Sequence, residues 1–244
     1  MRLCALGSGS SGNALLVEGP HGVFVVDAGL PWREIQARSA QAGMSLTGLR
    51  WALLTHEHTD HVRGLAPLRR RGVQVAASTG TLRALGIEGT VLQSGAEFEG
   101  VRVFPFPISH DAREPVGLRL EANGSRVGIA TDLGELTDRA LAALATCETL
   151  VMEANHDVSM LLAGPYPWPL KLRILGPEGH LANDETARAI CLLGNGLRQV
   201  VLAHLSEENN TPALALETVA AAVGSWEGRL YLTYPDRPSV VVGA

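Results

Sequence analysis

Short apolar runs separated by glycine, proline and small polar residues open the chain and predict strands at Arg2–Leu6, Ala14–Glu18 and Val23–Asp27. The breaks Gly7–Asn13 and Gly19–Gly22 read as tight turns of an antiparallel meander. The pattern then alternates. A helical period over Pro31–Ala42 precedes the buried run Leu49–Leu54, a helix over Val62–Arg71, a strand at Val73–Ala77 and a short helix over Thr79–Leu85. Strand character returns at Val101–Phe106, Pro115–Glu121 and Arg126–Thr131, with Asn123-Gly124 as a hairpin signal. Past Asp132, Thr137 caps a helix to about Ala145, Leu150–Ala154 is a strand and Asp157–Leu162 a short helix. Gly164–Pro177 is proline-rich and reads as irregular. A helix from Asn183 to Gly194, a strand at Gln199–Ala203, an alanine-rich helix over Thr211–Val223 and strands at Leu230–Tyr234 and Ser239–Val242 complete the pattern. Strands covered by helices in this order predict an α+β fold.

A chain of 244 residues suits one large domain over 1–244, with no repeat visible as sequence identity. Three cysteines without a CxxC pair predict free thiols. No apolar run approaches the roughly 18 residues that span a bilayer, so a soluble cytoplasmic protein is expected. A net charge of -5 argues against nucleic-acid binding by bulk charge alone, yet carboxylates that hold divalent ions are counted in it as free charges. Basic residues cluster at Arg69-Arg70-Arg71 and at Lys171 with Arg173. The arginine run reads first as a solvated helix end.

Chemistry is concentrated in Thr55-His56-Glu57-His58-Thr59-Asp60-His61, directly after the run Trp51–Leu54. Imidazole and carboxylate are the usual ligands of zinc and similar ions. His56 and His58, two apart, can point to one side of an extended segment, and Asp60 and His61 fall past the turn. One stretch can therefore serve two adjacent ions. The Gly7–Asn13 loop lacks the lysine and following helix of a nucleotide-binding loop and reads as a plain turn.

The pattern His-x-His-x-Asp-His after an apolar strand resembles the signature of the metallo-β-lactamase superfamily. That resemblance implies a four-layer αββα sandwich of two mixed sheets with the metal site at one edge. It also implies a third histidine for the first ion, a bridging carboxylate and a last histidine for the second. His110, Asp132 and His204, each after a strand, match in order. The expected ligands are His56, His58 and His110 on one ion, Asp60, His61 and His204 on the other, and Asp132 between them. The redox members of the superfamily place glutamate where this chain has His58, so hydrolysis is expected. Two ions about 3.5–4 Å apart can hold a hydroxide and stabilise attacking and leaving oxygens. Phosphodiesters suit such a site, and so do lactones and thioesters.

Between Asp132 and His204, Val151–Asp157 and Gly179–Asn183 resemble the general-acid elements of nucleic-acid-processing members. A histidine poised near neutral pH can protonate a leaving alkoxide. His180 is the expected acid, with Glu153 or His156 orienting it, and Asp60 also counts among the catalytic residues. The phrases Gly7–Asn13, Ser109–Gly117, Glu153–Asp157, Tyr166-Pro167-Trp168, Gly179-His180-Leu181 and His204–Pro212 are similar to the YycJ (WalJ) branch of the superfamily. The branch implies a 5′ to 3′ DNA exonuclease using two manganese or zinc ions. Ala182 stands where the branch usually has serine. The segment from Asp132 to His204 leaves no room for an inserted clamp domain of on the order of 100 residues. Grip on DNA ends is then expected from loops or from a partner in a homodimer. The alternative reading is a small-molecule hydrolase acting on a lactone, thioester or cyclic phosphodiester.

Overall fold

A computed structural model describes residues 1–224 and 226–244, with the backbone alone for Asn195. The first meander is β1 (Arg2–Gly7), β2 (Ala14–Glu18) and β3 (Val23–Val26), each antiparallel to the next. Helix α1 (Trp32–Gln41) crosses to β4 (Trp51–Leu53), parallel to β3. The single helix expected over Val62–Arg71 is two: α2 (Thr59–Val62) and α3 (Leu65–Arg69). They break at Gly64, where a side chain would collide with the backbone of Leu30. Pro67 falls in the first turn of α3, where a missing N–H leaves no bond unmade. Strand β5 (Gln74–Ala77), helix α4 (Thr79–Leu85) and the two-residue β6 (Thr90–Val91) extend the sheet by parallel pairing.

The second sheet repeats the plan. Strands β7 (Ala96–Phe98), β8 (Val101–Pro107), β9 (Val116–Ala122) and β10 (Ser125–Ala130) pair antiparallel. Asn123 and Gly124 both take positive φ in the β9–β10 turn, as the hairpin signal requires, and Glu99 and Gly100 do the same between β7 and β8. Helix α5 (Asp138–Leu144), capped by Thr137, leads to β11 (Thr149–Glu153), parallel to β10. Helices α6 (Val158–Ala163), α7 (Trp168–Ile174) and α8 (Asn183–Leu193) precede β12 (Gln199–Ala203); α9 (Pro212–Val223) precedes β13 (Arg229–Leu232). Strands β11, β12 and β13 run parallel. The closing β14 (Val242–Gly243) returns to pair with β1, shorter than the strand expected over Ser239–Val242.

One further expectation is corrected here. Gly164–Pro177 is not irregular but contains α7; Pro167 is its N-cap and Pro169 lies in its first turn, positions that tolerate proline. Strands β6 and β7 were not predicted because two or three residues carry too little periodicity.

The sheet orders are β14-β1-β2-β3-β4-β5-β6 and β13-β12-β11-β10-β9-β8-β7, so each sheet has an antiparallel half and a parallel half. Their facing surfaces enclose a core including Leu3, Val17, Phe24, Leu118, Leu120 and Ile129. The outer face of the first sheet packs Cys4, Leu16 and Leu54 on Ile35, Leu68 and Leu82; that of the second packs Met152 and Leu202 on Leu144, Ile190 and Val219. Three apolar layers between four layers of structure make the αββα sandwich. Strands buried on both faces explain why β3 and β11 read as continuous apolar runs.

Candidate metal centre and active site

Seven side chains converge where strands of both sheets end. Asp132 follows β10, His204 follows β12, and His110 follows β8 by the short link Ile108-Ser109. His56 and His58 follow β4, and α2 carries Asp60 and His61. Asp132 and His204 both take left-handed backbone, φ 59° and 55°, which turns the chain sharply at the strand end.

Two groups result. His56, His58 and His110 form one, and Asp60, His61, Asp132 and His204 the other, each with ligand atoms within 4.8 Å of one another. Asp132 joins them: one oxygen is 3.1 Å from His61 Nε2, and the other is 3.0 Å from His204 Nδ1 and 3.9 Å from His110 Nε2. The structure thus brings together all seven side chains named from the sequence, in two adjacent groups.

The donor set fits divalent ions. His56 Nε2, Asp132 Oδ2 and His204 Nε2 are buried without a hydrogen-bond partner, although buried polar atoms are ordinarily satisfied. His110 Nδ1 faces the carbonyls of Glu178 and Gly179 at 3.1 and 3.3 Å, which sets the tautomer with Nε2 free to ligate. His61 Nδ1 lies 2.8 Å from Asp27 Oδ2, and His56 Nδ1 lies 3.0 Å from Thr55 Oγ1. Asp27 also accepts the Thr55 N–H and hydroxyl. Asp27, Thr55 and Asn13, whose amide donates to Asp60 Oδ2 at 3.1 Å, were not anticipated as supports. Their signal was modest: Asp27 ends an apolar strand, and Asn13 closes the glycine-serine loop. That loop is the plain turn expected, stitched by Gly9 N–H to Asn13 Oδ1.

Charge is arranged to match. Burial opposes the charged form of His61, but Asp132 and Asp27 outweigh it and hold its pKa well above the usual value. Burial likewise opposes protonated His204, yet Asp132 and Glu153 raise it to about 10. His56 goes the other way, lowered well below normal by burial and by the neighbouring His61.

Glu153, at the end of β11, is fully buried. Its Oε1 lies 2.8 Å from His180 Nδ1 and 3.0 Å from His204 Nδ1, and its Oε2 accepts the N–H groups of Leu133 and Leu181. Both oxygens are engaged by these contacts, and Glu153 also lies with Asp132, His180 and His204 in a third group of ligand atoms within 4.8 Å of one another. Burial alone would raise its pKa, but His180 and these hydrogen bonds bring it down to about 2. Glu153 in turn raises His180 against the lowering effect of burial. Of the two residues expected to orient His180, Glu153 makes the contact and His156 does not. His156 is buried with both ring nitrogens unpartnered, and desolvation lowers it to about 4. Ala182 is the N-cap of α8; lacking a side-chain oxygen, it makes only the half of the capping box in which Glu185 accepts its N–H at 3.1 Å.

The basic groups separate. Lys171 is buried and its Nζ donates to the carbonyls of Leu162 and Gly164. Arg71 packs over the Trp32 ring. Arg173 remains exposed and pairs with Asp111 at the rim of the first histidine group. Among the described residues no helix is long and apolar enough to cross a membrane, and the three cysteines are free.

The family profile described as "Beta-lactamase superfamily domain" matches residues 23–205. The chain is 34% identical to exodeoxyribonuclease YycJ of Bacillus anthracis over 90% of its own length and 88% of that protein. It is 35% identical to exodeoxyribonuclease WalJ of Streptococcus pneumoniae over 88% of its length and 85% of that protein. In structure it matches the metallo-beta-lactamase fold protein YhfI from Bacillus subtilis with a TM-score of 0.75 at 14% identity, covering 99% of each chain.

Proposed function

The chain belongs to the β-lactamase superfamily, and from that premise we propose that it is a dinuclear metal-dependent exonuclease that hydrolyses DNA from its 5′ ends. DNA as substrate rests on its similarity to YycJ and WalJ, both named exodeoxyribonucleases. The 5′ to 3′ direction rests on the sequence phrases of that branch. His56, His58 and His110 would hold one ion, Asp60, His61 and His204 the other, and Asp132 both, with manganese or zinc suiting this donor set. Bound there, two divalent ions supply an activated water and neutralise charge at phosphorus.

The observation that carries the reading is the Glu153–His180 pair. Glu153 accepts a hydrogen bond from His180 Nδ1, and no hydrogen bond within the described residues engages His180 Nε2. A proton on that Nε2 can pass to the leaving oxygen as the phosphorus–oxygen bond breaks, which is the demand an alkoxide leaving group makes. Glu153 also holds His204, so one carboxylate sets the acid and a ligand in register. Asp60 Oδ1 makes no hydrogen bond within the described residues and is available to accept a proton from the attacking water. The free thiols accord with a reducing cytoplasm.

The test is time-resolved digestion of end-labelled single- and double-stranded DNA and RNA by metal-stripped protein reloaded with manganese or zinc, beside Asp60→Ala and His180→Ala. Mononucleotide release from the 5′ end, lost in both variants, is the expected result. A chain that cleaves no polymer under either metal but turns over a lactone, thioester or cyclic phosphodiester is a small-molecule hydrolase instead.

A further inference from the structure

Among the described residues, four of the seven exposed large apolar side chains lie in one short excursion between β11 and β12: Leu162, Trp168, Leu172 and Leu175, with 40% to 58% of their surface open. Three of them share α7 or its end at spacings of four and three residues, which stacks them along one side of the helix. Such a cluster on an otherwise well-buried fold marks a surface that something covers.

The same helix carries Arg173 beside the metal centre. Its Nε and Nη2 lie 2.6 and 2.5 Å from Asp111 Oδ2. The other Asp111 oxygen is 3.5 Å from His110 Nε2 and 3.8 Å from His58 Nε2. Asp111 thus fixes the guanidinium at the rim of the first histidine group, and the side chain is still 59% exposed. A guanidinium has five donors, so a carboxylate occupying two leaves the rest for a second anion. The C-terminal end of α7 is joined directly to the acid loop, because Ile174 O accepts the His180 N–H at 3.0 Å.

Charge chooses between occupants. From Val158 through Pro177 the chain contains no acidic residue, while the whole molecule carries a net charge of -5. A second copy docking here would set its own Arg173 near this one, and the Asp111 carboxylate beside each is already paired with its own guanidinium. A polyanion with flat apolar faces meets both features: phosphate for the arginine, base for the tryptophan. We propose that the exposed face of α7 is the grip for a single strand of nucleic acid, Arg173 holding a phosphate next to the scissile one and Trp168 with Leu172 stacking under the bases beyond it. This rests on the nuclease reading above. The described elements between Asp132 and His204 are α5, β11, α6, α7, α8 and β12 with a short turn, and α7 is the one placed to grip a strand beside the metal centre.

The test is a binding measurement that needs no turnover. Fluorescence anisotropy of a labelled oligothymidylate with phosphorothioate linkages is followed on the metal-loaded full chain across a salt series. Trp168→Ala is expected to weaken binding about tenfold at every salt concentration, and Trp168→Phe to recover most of that loss. Arg173→Ala is expected to weaken binding and to flatten the slope of log Kd against log salt by about 0.7, the signature of one lost phosphate contact on a single strand. Arg70→Ala, on the run at the end of α3, serves as the control and keeps the wild-type slope. If the wild-type chain binds and both α7 variants bind as tightly with the same slope, the α7 assignment is wrong while the nuclease reading stands. If the wild-type chain binds no strand at all, the nuclease reading falls first. Sedimentation of the same proteins supplies the remaining outcome: a wild-type dimer that Trp168→Ala converts to a monomer makes this face a self-association surface and overturns the proposal.

Discussion

Glu153 concentrates the chemistry of the site in one side chain. A buried carboxylate that accepts from two imidazoles and two backbone N–H groups is stabilised in its charged form, and that charge keeps His180 protonated to higher pH. Replacing it by an amide keeps the shape and removes the charge. Glu153→Gln is therefore expected to lower kcat/KM on the order of 100-fold and to move the alkaline limb of its pH profile to lower pH. A pH–rate series on both proteins checks this, and an unmoved limb would show that His180 is not the acid. His156 titrates the other way. Its folded pKa, about 4, lies below the unfolded value near 6.5, so its contribution is complete above the latter and is lost as pH falls through the former. Between those limits the wild type is expected to lose about 3 kcal/mol relative to His156→Gln, read from urea unfolding at stepped pH.

At the scale of elements, the two sheets present their catalytic edges by the same device. Asp27-Ala28-Gly29 follows β3 and Asp132-Leu133-Gly134 follows β10, the last antiparallel strand of each meander. Both aspartates take left-handed φ, 61° and 59°. Both glycines admit a neighbouring backbone where a side chain would collide: the Asp60 carbonyl at Gly29, and Gly176 with Pro177 at Gly134. Gly29→Ala should push the α2 backbone away from the second ligand group, while the first group is left in place. The expected result is metal content near one ion per chain by atomic spectroscopy, against two in the wild type; an unchanged stoichiometry would mean that α2 can shift without losing Asp60 and His61.

Over the whole molecule, the centre joins the two sheets at one edge. His56, His58, Asp60 and His61 come from the first and His110, Asp132 and His204 from the second. Ions held by both would therefore act as a cross-link whose strength adds to folding by mass action, about 2.7 kcal/mol per site at a hundredfold excess over Kd. Chelation is expected to lower the midpoint of thermal unfolding. Because Asp132 and its neighbours raise the pKa of both His61 and His204, to about 10 for His204, reloading at neutral pH should also release protons. Calorimetry in two buffers of different ionisation enthalpy measures their number, and no proton release would contradict the assignment of these histidines as ligands.

Most strands and the His56–His61 cluster were legible because each leaves a local mark, whereas the sandwich and the candidate ligands His110, Asp132 and His204 came from the resemblance to the metallo-β-lactamase superfamily. Strands buried on both faces leave apolar runs, and ligands ending strands leave lone polar residues after them. The motif His56–His61 then names the chemistry. What the sequence could not carry are the choices made by residues distant in the chain. Nothing around Glu153 and His156 tells which reaches His180; that depended on β11 placing Glu153 under both imidazoles while the next turn buries His156 elsewhere. Nothing in Lys171 and Arg173, two apart and alike in charge, distinguishes a cap for buried carbonyls from a cation at the rim of the metal centre. Helical phase on α7 separates them, and α7 itself was hidden by prolines that look like breakers until their place in the first turn is known. Local pattern determines elements and candidate ligands, whereas the assignment of partners belongs to packing, because only packing sets which groups share a buried space.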